Sequence, residues 1–270
     1  MPTYFAPGGA SVHYEEVNPH GHPPVILLHG LGSQGESWQY QFPPLEELGF
    51  RVIAPDIPGY GGSSWPGGKV TIKRFAELIA QFMEGIGAVP AHVAGISMGG
   101  TIALQLALDY PDHVLSLVLV NTFARLRPQS LGEWLYLLRR AITARLMSME
   151  KQADIVVQRI FPKPEQQALR DSLRTQILRA DPAVYRATMG ALFRFDVESR
   201  LRDIRVPTLV VTGEEDTTVP PTLQKTQLAQ GIPGAQHVII PGAGHGVIVD
   251  NPQAFNEALV AFYRSLRSNM

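Results

Sequence analysis

Ser97 lies within Gly95-Ile96-Ser97-Met98-Gly99-Gly100, a G-x-S-x-G segment that follows the apolar run His92-Val93-Ala94 and precedes Thr101-Ile102-Ala103-Leu104. A serine on a sharp strand-to-helix turn, flanked by glycines that let neighbouring backbone approach, is placed to attack a carbonyl. Helix onset directly after it aims free backbone N–H groups at the point where negative charge develops. A hydroxyl is a weak nucleophile until a base takes its proton, and an imidazole with a pKa of about 6.5 suits that task near neutral pH.

Of the eight histidines, His245 is the best placed, in Gly242-Ala243-Gly244-His245-Gly246 between the last apolar run and a helix opened by Asn251-Pro252. His13, His20 and His22 lie near the N-terminus, His92 and His237 fall within predicted strands, His113 precedes one, and His29 belongs to a glycine loop. The imidazole needs a carboxylate to fix its tautomer and stabilise the imidazolium. Asp216 fits, because Gly213-Glu214-Glu215-Asp216 leaves the carboxyl end of the apolar run Thr208 to Thr212, where open α/β sheets place their sites. Glu214 and Glu215 are the competing carboxylates. Two backbone donors must meet the oxyanion: Met98 N–H is one, and Leu31 N–H in His29-Gly30-Leu31-Gly32 is the expected second.

These residues need a scaffold, and the alternation of short β-branched runs with segments of helical period indicates an α/β class with a mostly parallel sheet. Predicted strands are Val12 to Val17, Val25 to Leu28, Val52 to Ala54, His92 to Ala94, Leu115 to Val120, Thr208 to Thr212 and Gln236 to Ile240. Predicted helices are Phe75 to Gly85, Met98 to Tyr110 and Pro252 to Leu266; Tyr4 to Ala6 and Ser11 to Glu16 read as an edge hairpin around Pro7-Gly8-Gly9. Between Thr122 and Asp203 the alternation stops, and Gly132 to Ile142, Lys151 to Phe161, Glu165 to Arg179 and Pro182 to Phe193 have helical character. The expected organisation is a core of residues 1–121 and 204–270 with a helical cap, 122–203, inserted into it.

At 270 residues with 45% hydrophobic and 17% charged residues, the chain can bury one large core. A net charge of −1 with scattered Lys and Arg removes the electrostatic case for nucleic acid, and the absence of cysteine excludes disulfides, thiolate metal sites and a thiol nucleophile. Met1 to Tyr14 has no basic start leading into an apolar stretch, and no apolar run nears the roughly 20 residues that cross a bilayer, so a cytoplasmic location is expected.

Four segments in register make the chain resemble the α/β-hydrolase fold family from about Val12 to Leu266: His29 to Gly32, Asp56-Ile57-Pro58-Gly59-Tyr60-Gly61-Gly62-Ser63, Gly95 to Gly99, and Asp216 with His245. The resemblance implies an eight-stranded, mostly parallel sheet flanked by helices, with Ser97, Asp216 and His245 as catalytic residues and no cofactor or metal. The second segment is expected to hold the floor of the site. Ser97 separates the chain from haloalkane dehalogenases and most epoxide hydrolases, which carry aspartate there. Asn121 stands where dehalogenases and many lipases place their acid, which supports Asp216. Carbon-carbon bond hydrolases are similar through Ser97 to Gly100, but usually have tryptophan where this chain has Gly246.

Carboxylesterases and enol-lactonases fit best, so the expected partners are a small-to-medium, mostly apolar ester or lactone and water, with no nucleic acid and no membrane; a homodimer is the assembly to test. Trp134, Leu135, Leu138, Phe161, Phe193 and Phe195 are the expected pocket residues, while Arg125 and Arg127 could meet a substrate carboxylate. The alternatives are a carbon-carbon bond hydrolase acting on a vinylogous diketone and a receptor-like binding protein with slow turnover.

Overall fold

The computed structural model describes residues 2–6, 9–126, 132, 135 and 147–268. Among the described residues there are eight strands: β1 (Thr3–Phe5), β2 (Ser11–Val17), β3 (Pro24–Leu28), β4 (Arg51–Pro55), β5 (Ala91–Ile96), β6 (Val114–Val120), β7 (Thr208–Gly213) and β8 (Gln236–Ile240). They form one sheet in the order β1-β2-β4-β3-β5-β6-β7-β8. β1 pairs antiparallel with β2 and β2 with β4, whereas every pairing from β4 to β8 is parallel.

The central strands are apolar throughout because both faces are covered. Along β3, Ile26 and Leu28 join the core on one face while Val25 and Leu27 join the other. The same two-residue alternation sends Leu117 and Leu119 of β6 to the first face and Val118 and Val120 to the second.

The helices are α1 (Phe42–Glu47), α2 (Ile72–Gly85), α3 (Met98–Asp109), α4 (Met149–Ile160), α5 (Gln167–Arg179), α6 (Pro182–Arg194), α7 (Pro221–Gln224), α8 (Val247–Asp250) and α9 (Pro252–Ser268). α2 starts three residues before the expected Phe75, because the Thr71 hydroxyl caps it by accepting from Arg74 N–H at 3.0 Å. α4, α5 and α6 lie between β6 and β7, where the sequence loses its strand rhythm. The expected helix Gly132 to Ile142 lies outside the described residues except for Gly132 and Leu135, which are helical. Among the described residues no helix is long and apolar enough to cross a membrane.

His92 is structural. Its ring packs against Phe50 and Tyr263, with Nδ1 2.7 Å from Ser116 Oγ. Burial, with the Arg267 charge as a smaller contribution, pushes its pKa down to about 4. The unfolded chain therefore binds a proton below about pH 6.5 that the folded chain refuses until about pH 4, so stability falls as pH drops through that window. The loss from this residue should reach about 3 kcal/mol. Denaturant unfolding at pH 7 and at pH 4.5 is expected to show a smaller pH dependence in His92→Gln than in the wild type; equal dependence would refute the assignment.

Candidate active site

β5 ends at Ile96 and α3 begins at Met98, leaving Ser97 on the turn with φ 54° and ψ −114°. An L residue pays for that conformation, and three hydrogen bonds hold it: Ser97 N–H donates to Val120 O (2.9 Å), while Ser97 O accepts from Thr122 Oγ1 (2.7 Å) and Thr101 N–H (3.1 Å). Gly95 and Gly99 are required by close approach. A Cβ on Gly95 would collide with the Gly99 backbone, and one on Gly99 with the carbonyls of Leu28 and His29.

His245 and Asp216 are brought together by the loops after β8 and β7. His245 Nδ1–H donates to Asp216 Oδ2 at 2.9 Å, and both side chains are almost wholly buried. Asp216 Oδ1 accepts from Thr218 N–H (2.7 Å) and Val219 N–H (3.0 Å), and Oδ2 also accepts from Gln224 Nε2 (3.3 Å). Every oxygen lone pair is aimed at a donor, as suits a charged carboxylate. The competing acids turn elsewhere: Glu214 accepts from Gly242 N–H at 3.0 Å, and Glu215 pairs with Lys163 at 2.9 Å.

The loop His29 to Ser33 runs beside the serine, for a Cβ on Gly30 would stand 3.6 Å from Ser97 Cβ. Met98 N–H heads α3 and has no acceptor within the helix, and Leu31 N–H finds no backbone acceptor among the described residues. Buried His29 fixes this loop: Nδ1–H donates to Gly30 O and Nε2 accepts from Ile57 N–H, both at 2.8 Å. Burial holds its pKa below the usual histidine value, so the ring is neutral and can accept. Asp56 ties the floor, accepting from Gly35 N–H (2.8 Å) and Gly62 N–H (2.7 Å).

Ser97 and His245 open onto one cavity of about 370 Å³, walled by Leu31 on the sheet side and by side chains of α4, α5 and α6 opposite. Among the described residues the Ser97 hydroxyl makes no hydrogen bond, and it shares the cavity lining with His245.

Phe161 and Phe193 line the cavity. Leu135 is instead 59% exposed, and Phe195, the residue that caps the C-terminal end of α6, is buried against Phe123 with ring centroids 6.4 Å apart. Trp134, Leu138 and Arg127 lie outside the described residues. Arg125 does not reach the cavity, since Asp196 (3.0 Å) and Glu198 (3.1 Å) hold its guanidinium. Among the described residues no three His, Cys, Asp or Glu side chains gather as a metal site.

Sequence reasoning missed three contributors. Asn121, used above only as the absence of an acid, clamps the histidine loop: Nδ2 donates to Gly244 O (3.0 Å) and His245 O (2.8 Å), and Oδ1 accepts from Gly213 N–H (2.8 Å). Its position at a strand end was the available signal. Gln224, fully buried, steadies Asp216, and Arg159 lines the cavity while donating to Thr217 O at 2.8 Å. Neither stands in a recognisable local pattern.

The α/β hydrolase fold family matches residues 23–252. A protein named putative carbamate hydrolase RutD, from Caulobacter vibrioides, is 32% identical over 268 residues, covering 93% of this chain and 94% of its own. The crystal structure of the enol-lactonase from Burkholderia xenovorans LB400 superposes with a TM-score of 0.87 at 29% identity, covering 97% of this chain and 100% of that one. A thermophilic esterase from Thermogutta terrifontis does so with a TM-score of 0.83 at 28% identity and 98% coverage of each. Sheet order, serine turn and the extent of the family match agree: the chain belongs to the α/β hydrolase fold family.

Proposed function

We propose that this protein is a serine hydrolase that cleaves carboxylic esters of small-to-medium, mostly apolar substrates through an acyl-enzyme. The observation that carries the reading is His245, held by buried Asp216, opening with Ser97 onto one largely apolar cavity. Ser97 Oγ attacks the carbonyl as His245 Nε2 takes its proton; the N–H groups of Leu31 and Met98 receive the oxyanion. The protonated imidazole then passes the proton to the leaving alkoxide. Water, deprotonated by His245, attacks the ester of Ser97, and the acid leaves as the hydroxyl is restored. Asp216, held by two backbone donors, keeps the proton on Nδ1 so that Nε2 is the basic nitrogen. In this reading residues 122–203 act as a cap that shapes the acyl pocket over a core of 1–121 and 204–270.

A lactone is the second substrate class, favoured by the likeness to the enol-lactonase. A carbamate, suggested by the relatives' name, is a third class; the free carbamate ion would leave most of a 370 Å³ cavity empty, so within that class a larger carbamate ester fits better.

The test is a panel of chromogenic esters of increasing chain length, with a lactone and a vinylogous diketone, run alongside a fluorophosphonate probe. Ester turnover with the probe located on Ser97 by peptide mass is the expected result. An unlabelled Ser97 and no turnover would remove the hydrolase reading; labelling with negligible turnover would favour a binding protein.

A further inference from the structure

Gln176 sits on α5, which faces the cavity with Leu169, Ser172 and Leu173, and only 8% of it is exposed. Its Oε1 accepts from Ser33 Oγ at 2.8 Å. The Nε2 group donates to no protein atom among the described residues and is not fully enclosed, which leaves it open to a partner on the cavity side that Gln176 lines. Ser33 belongs to the turn that carries Leu31, closed by Ser33 N–H donating to Gly30 O at 3.1 Å. Ser37 lines the same cavity, its enclosed Oγ without a partner among the described residues. A largely apolar chamber thus has uncharged polar groups on the wall next to the oxyanion loop, apart from Arg159 on α4.

We propose that Gln176, oriented by Ser33, is a specificity-determining residue that donates a hydrogen bond to a second, uncharged carbonyl oxygen of the substrate, beyond the carbonyl that Ser97 attacks. The inference rests on the hydrolase reading above. A neutral amide in apolar surroundings suits a keto or lactone-type oxygen, because it brings a donor without a charge to balance. A wall built to donate selects against substrates that leave the donor unpaired. Were the Ser33–Gln176 bond only a latch between α5 and the sheet side, its removal would affect all substrates alike.

The experiment compares kcat/KM for ethyl acetoacetate and ethyl levulinate with that for the matched ethyl butanoate and ethyl pentanoate, in wild type, Gln176→Leu and Gln176→Glu. Intrinsic reactivity cancels when the keto-to-plain ratio is compared between variants. The ratio is expected to fall about tenfold in both variants, with plain esters changed less than about twofold. Equal losses on keto and plain esters overturn the subsite and leave a latch. An unchanged ratio also overturns it. Should the Gln176 variants not fold, judged by thermal melting, Ser33→Ala, which frees the amide to turn, must lower the ratio or the proposal fails. Wild type inactive on all four esters, with Ser97 unlabelled by the fluorophosphonate, would instead remove the hydrolase reading on which the subsite depends.

Discussion

Ser97→Ala is expected to lower kcat by about 10⁴- to 10⁶-fold on any ester the wild type cleaves, with KM little changed. The loss is large because in the proposed mechanism the hydroxyl forms the covalent bond, and among the described residues no other side chain of the cavity combines a nucleophile with the strand-to-helix turn. Binding should survive, since Leu31 and Met98 present backbone groups that the substitution leaves in place. The substitution removes one atom from a half-buried position, so the variant should melt close to the wild type. Stopped-assay turnover at high enzyme concentration measures the residual rate. A variant retaining a tenth of wild-type activity would show that the reaction does not pass through Ser97.

Asp216→Asn is expected to cost about 10⁴-fold in kcat although the side chain keeps its size. Thr218 N–H and Val219 N–H both point at Oδ1, so the new amide must place its oxygen there. Its NH₂ then faces His245 Nδ1 and Gln224 Nε2, which now donate to Oδ2. Nδ1 must give up its proton to accept from that NH₂, the proton moves to Nε2, and the nitrogen that should receive the Ser97 proton is already occupied. Asp216→Glu, longer by a methylene in a fully packed site, should also fail, but through geometry. Nitrogen-resolved NMR of His245 distinguishes the two: the tautomer should switch in the asparagine variant. An unswitched tautomer with full activity would refute this role for Asp216.

The parts of the site that are legible in the sequence are those held in short stretches of chain. Gly95 to Gly100 encodes its turn because each neighbour's constraint, from the backbone approach at Gly95 to that at Gly99, acts within a few residues. Asp216 and His245 stand out because each follows an apolar strand and occupies a glycine-bearing loop at the sheet's carboxyl edge. Contacts between distant segments leave no such trace. Ser33 and Gln176 meet across 143 positions, and Gln224 reaches Asn121 across 103, yet each glutamine sits on a helix among polar neighbours and reads as a surface residue. The aromatics show the same limit within one helix. Phe193 and Phe195 have the same residue type two positions apart, but the end of α6 between them turns one to the cavity and the other to Phe123.

The torsion at Ser97 carries a consequence for how this chain balances robustness against reactivity. A φ of 54° suits glycine and strains serine by about 1 to 3 kcal/mol, and the surrounding contacts with Val120, Thr122 and Thr101 must absorb it. The residue that would best please the backbone there has no hydroxyl, and a residue with the hydroxyl must carry a Cβ that the backbone accommodates poorly. At this position, stability and turnover cannot both be optimised, and the fold's preference and the reaction's requirement part at a single angle.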